Sequence, residues 1–115
     1  MRPDEIMREL LIQKERLEAK DEEVVELIKE AADADRNFRI ALEQESSRLR
    51  MKSTPVTMIK ALAEGERAVA QKKYDYVRLE GNVKACFKSM DNIRASIDLL
   101  RSLLSHESKE LHSNR

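Results

Sequence analysis

The chain has 115 residues, of which 38% are charged in equal numbers of either sign and only 3% are aromatic. That length suits one domain, and the shortage of aromatics, Gly and Pro argues against a compact β or α/β core. A formal net charge of zero points neither to a polyanion nor to an acidic membrane as partner.

Pro3 fits the first turn of a helix, with Asp4 and Glu5 near its positive end. No further Gly or Pro appears before Pro55, so the first predicted helix spans about residues 4–51. Leu10, Leu17, Val24, Ala31 and Phe38 recur every seventh residue, joined by Met7, Ile28, Leu42 and Leu49. Lys14, Asp21 and Asp35 interrupt this ladder with charge.

Lys52-Ser53-Thr54-Pro55 forms the turn, with Thr54 as the expected N-cap and Pro55 as the first residue of the next helix. The second predicted helix spans about residues 55–108 and is followed by a frayed tail, 109–115. Gly65 and Gly81 each cost it about 1 kcal/mol relative to Ala. Neither shifts the apolar repeat, so one continuous helix is expected, bent at most at Gly65, with a break at Glu80-Gly81-Asn82 as the alternative.

The second ladder is the stronger one. Leu62, Val69, Tyr76, Val83, Met90, Ile97, Leu104 and Leu111 stand seven residues apart, filled in by Leu79, Cys86, Ile93 and Leu100. A repeat of this length needs a partner helix along most of its course. The short turn makes the first helix that partner, in an antiparallel pairing that sets Asp35 against Lys72 and Lys73. Net charges of −3 on residues 1–52 and +3 on 53–115 suit the same pairing, although an extended rod dimerising in antiparallel fashion produces it too.

Leu11, Val25, Leu27, Ala32, Ala34, Tyr74, Val77, Phe87, Leu99 and Leu103 widen the apolar stripe beyond what one helix covers. The expected architecture is therefore all-α: two long helices in an antiparallel coiled-coil hairpin, dimerising into a helical bundle.

Catalytic and metal chemistry find little to work with. His106 and His112 are six residues apart, so they miss the four-residue spacing of a zinc helix, and no Glu-x-x-His pair is present. Glu22, Glu23, Glu26 and Glu30 read as a solvated helix face. Cys86 is a lone thiol on the apolar ladder, best read as a buried structural cysteine in a reducing compartment. No catalytic, cofactor-binding or metal-binding residue is assigned, and no enzyme activity is expected.

The remaining local feature is the turn, where Arg48, Arg50, Lys52 and Lys60 gather within a stretch free of Asp and Glu. Four cations at an exposed tip suit phosphate contact. No aromatic residue accompanies them for base stacking, and cations at a helix C-terminus are favoured by the dipole alone. Tyr74 is a second candidate partner contact, because Tyr76, two residues on, belongs to the ladder.

The start of the chain does not read as a signal peptide and its longest apolar run is three residues, so a cytoplasmic protein with no membrane partner is expected. In size and texture the chain is similar to small helical accessory proteins of phages and mobile elements, without a motif that assigns a family. The expected function is non-enzymatic: an adaptor, inhibitor or accessory factor that self-associates and binds another protein. The alternative is a small nucleic-acid-associated protein that uses the basic tip.

Overall fold

The computed structural model describes residues 1–113, with side chains to residue 110. Three α-helices account for nearly all of this: α1 (Pro3–Met51), α2 (Val56–Gly65) and α3 (Arg67–Ser113). No strand occurs among the described residues. Leu111 of the predicted ladder and His112 have side chains outside the described set.

α1 runs for 49 residues with no Gly or Pro inside it, acidic in its first turn and basic in its last, as the helix dipole favours. Pairs three or four residues apart line its surface, among them Asp4–Arg8, Asp33–Arg36 and Asp35–Arg39. Each adds only a few tenths of a kcal/mol, in the range of about 0.2–0.5.

α1 stops in a Schellman motif. The Thr54 N–H reaches back to the Leu49 carbonyl at 3.1 Å and the Ser53 N–H to that of Arg50 at 3.0 Å. Ser53 supplies the left-handed residue that this closure needs, at φ 61°. The predicted N-cap role of Thr54 is thereby overturned, because Thr54 serves to close the helix before it. Pro55 is the N-cap of α2, with ψ 133° and no side-chain cap, and its carbonyl accepts the Met58 N–H at 2.9 Å.

The second predicted helix is two helices, and the break lies at neither Gly81 nor a bent Gly65. Glu66 adopts extended geometry, φ −64° and ψ 137°. It ends α2 by donating its N–H to the Ala63 carbonyl at 3.2 Å. It also starts α3: its carboxylate accepts the Val69 N–H at 3.0 Å and its carbonyl accepts the Ala70 N–H at 2.8 Å. Gly81 lies within uninterrupted helix, and α3 continues to Ser113, past the predicted end at residue 108.

One extended residue turns the chain by a different angle from a helical one, so the apolar phase slips at Glu66. Leu62, placed on the core ladder by its spacing from Val69, is 46% exposed, and Ile59 and Ala63 are buried instead. The rest of the α3 ladder faces inward. Val69, Cys86, Met90, Ile93, Ile97 and Leu100 are buried, and Tyr76, Leu79, Val83 and Leu104 are half-buried.

On α1 the predicted positions Leu10, Leu17 and Phe38 are half-buried and Val24 is buried. Their inward companions stand three residues on, not four: Ile6, Gln13, Lys20, Leu27 and Ala34 are buried or half-buried. Met7, Lys14, Asp21 and Ile28 are exposed, which removes the supposed charged interruptions at 14 and 21 from the seam. After Phe38 the spacing lengthens to fours, bringing in Leu42, Ser46 and then Leu49.

α1 and α3 pack against each other in a hairpin, within two compact units. The first joins Met1–Val25 to Ala85–Arg115. Its interior is Ile6, Val24 and the buried α3 residues from Cys86 to Leu100. Buried Gln13 is satisfied along its own helix: its amide donates to Glu9 at 2.8 Å, and its carbonyl oxygen accepts from Arg16 at 3.3 Å.

The second unit, Glu26–Lys84, contains the turn. There α2 lays Ile59 and Ala63 against Leu49 and Leu42. Further from the turn, Phe38 stacks on Tyr76 with ring centroids 6.3 Å apart.

Candidate interaction surfaces

The basic turn is less open to an anion than its composition suggests. The Arg48 guanidinium donates from Nε to both Glu45 carboxylate oxygens at 3.0 Å, and a second nitrogen also engages Glu45. This bond holds the Glu45 carboxyl below its ordinary value and raises that of Arg48. Arg50 meets Glu43 at 2.7 Å and Ser47 at 3.1 Å. Both partners lie just upstream of the acid-free stretch, one turn or two away along α1. Lys52 and Lys60 remain as exposed cations.

The surface around these groups is apolar as well as basic. Met51 and Val56, on either side of the turn, are almost fully exposed, and Met58 and Ile40 are half-exposed. A groove of about 500 Å³ is lined by Ile40, Glu43, Gln44, Ser47, Arg48 and Met51. A smaller one, of about 310 Å³, passes along Leu49, Ala61, Leu62 and Gly65. The charges of this tip are legible in its sequence, whereas the exposure of Met51 and Met58 is not.

Further along the second unit, Glu30, Asp33, Asn37, Lys72, Asp75 and Arg78 border a groove of about 500 Å³ between α1 and α3. Its charges are mixed in sign, so it selects no single ionic ligand. The predicted pairing of Asp35 with Lys72 and Lys73 does not form. Asp35 takes Arg39 of its own helix at 2.9 Å, and Lys73 approaches Glu64 at 3.8 Å. The Glu80 carboxylate holds the Tyr76 phenol above its ordinary value, and Tyr76 with Lys84 lowers that of Glu80. Tyr74 is 62% exposed.

In the first unit the Cys86 thiol is buried and donates to the Lys20 carbonyl at 3.8 Å. No group of three or more His, Cys, Asp or Glu is arranged to hold a metal among the described residues. His106 pairs with Glu110 at 3.1 Å, an ion pair only when the imidazole is protonated. No helix of the described chain is long and apolar enough to cross a membrane.

Apolar side chains are also left uncovered on the long helices. Leu11, Val25, Val77, Phe87, Leu99 and Leu103, each expected to overflow the seam, are exposed in the single chain, as is Ile28, expected in the core. Ala34, buried in the seam, and Leu27, half-buried there, are the exceptions. Comparison with family models, curated proteins and solved structures finds no match to this chain.

Proposed function

We propose that this protein is a non-enzymatic helical interaction protein, an adaptor, inhibitor or accessory factor that self-associates through coiled-coil surfaces and binds another protein. The observation that carries this reading is the apolar surface left outside the seam, of which Leu99 and Leu11, both over 60% exposed, are examples. Covering such surface contributes about 25 cal/mol per Å². A hairpin with so thin an interior has much to gain from a further helical layer. The balanced formal charge is compatible with a protein partner rather than a polyanion.

The reading through nucleic acid has weaker support. Glu45 and Glu43 already offset the charge of Arg48 and Arg50 and occupy part of their guanidinium donors, which weakens the pull of the tip on a phosphate.

Sedimentation equilibrium from low to tens of micromolar tests the reading, together with affinity capture by the full chain from its native host. A dimer, and a protein retained by the wild type but lost when exposed Leu99 or Val77 is changed to Lys, is the expected result. A monomer throughout that retains nothing overturns it. Salt-sensitive binding of DNA or RNA, abolished by Arg48, Arg50 and Lys52 to Ala, transfers the function to the tip.

A further inference from the structure

Resting on the self-association reading above, we infer that the occupant of one face of the first unit is a second copy of this chain. The two α3 helices pack antiparallel about a two-fold axis level with Arg94.

The face is set by the helical repeat. With Met90 and Ile97 turned into the seam, Ala85, Ser89, Asn92, Ser96, Leu99 and Leu103 follow one flank of α3, spaced by fours and threes. None is charged and none is buried, along a rise of about 27 Å. The opposite flank of the same segment carries Lys84, Asp91, Arg94, Asp98 and Arg101 around a single exposed aromatic, Phe87.

The flank is complementary to itself. A two-fold axis level with Arg94 sets Leu103 against the second copy's Ala85, and Leu99 against its Ser89. Large thus meets small at each step, and two helices pack closely on such alternation. At the centre Asn92 meets the second copy's Ser96. The Ser96 hydroxyl donates to its own helix, at the Asn92 carbonyl at 3.1 Å, and its oxygen stays available to accept from an Asn92 amide.

The same axis satisfies α1. The Cys86–Lys20 contact, followed in antiparallel count, brings Ile12 and Gln13 level with Arg94. Ile12, 49% exposed, then lies on the axis. Glu9 faces the second copy's Arg16, and Glu23 faces its Arg2. The opposite flank fails this test, since the same symmetry sets Arg94 against the second copy's Arg94.

Cross-linking tests the register on full-length chains in which Cys86→Ala removes the native thiol. Asn92→Cys and Ser96→Cys proteins, mixed under mild oxidation, are expected to form the mixed disulfide at least tenfold faster than an Asp91→Cys and Asp98→Cys mixture. Leu99→Lys is expected to weaken dimerisation at least tenfold with the helical circular dichroism unchanged, because Leu99 is exposed in the single chain. A dimer that cross-links as fast through 91 and 98, or that tolerates Leu99→Lys, overturns the face and leaves self-association standing. A wild-type monomer at tens of micromolar overturns both.

Discussion

Ser53 is the residue on which the turn depends, held at φ 61° where L side chains crowd the following carbonyl. Glycine removes that crowding, so Ser53→Gly is expected to stabilise the hairpin by about 1 kcal/mol. Ser53→Val, with a branched Cβ, is expected to destabilise it by at least as much, both read by thermal melting. Glu45 supplies a pH dependence of definite sign. Its pKa is lowered in the fold by the bond to Arg48, so its contribution is complete above the unfolded carboxylate value. That contribution is lost as pH falls through the depressed folded value. The measurement is the carboxyl carbon shift of Glu45 followed by NMR during acid titration, where Arg48→Ala should return the midpoint to its ordinary position. Neither device was legible beforehand, because a serine in a turn and a Glu three residues before an Arg are commonplace. Geometry gives them their roles.

Glu66 does at the scale of the element what Ser53 does at the turn. A Glu between Gly65 and Arg67 carries no obvious stop signal, and an unbroken apolar repeat ran straight across it. The structure spends this residue on capping, and the rotation that follows exchanges Leu62 for Ile59 and Ala63 in the core. Ile59→Asp, which buries an unpaired charge, is therefore expected to cost several kcal/mol. Leu62→Asp should stay within about 0.5 kcal/mol, as surface changes do. Equal losses in urea melts would restore a continuous helix. Gly81 offers the converse test. It lies inside α3 with nothing within 4 Å of an added Cβ, so Gly81→Ala should stabilise by about 1 kcal/mol.

At the scale of the whole molecule, stability and assembly are expected to be linked. If a second copy covers the apolar flank, the melting temperature rises with protein concentration. Leu99→Lys should remove that dependence. Met90→Asp, inside the seam, is expected to cost several kcal/mol at any concentration, read as lost helicity at 222 nm.

The fold class was legible because it follows from local rules: two long stretches free of Pro, the first free of Gly as well, one proline between them, and a seven-residue repeat on each. α1 shows the limit of the repeat. Spacing by seven identifies Leu10, Leu17, Val24 and Phe38, but not whether their inward neighbours stand three or four residues on. Of the four-residue choices Met7, Ile28 and Leu42 only Leu42 lies inward, and on most of the helix the seam takes Gln13, Lys20 and Ala34. A periodicity defines a stripe, and only the partner helix decides which edge of the stripe it covers. The same holds for charge. Composition located Arg48 and Arg50 at the tip, but which carboxylates answer them depended on side chains folding back along α1. Sequence by itself determined that this chain forms helices and pairs them, because propensity and periodicity are local. Tertiary structure decided the phase of each helix and which apolar face stays uncovered, because these depend on which surfaces meet.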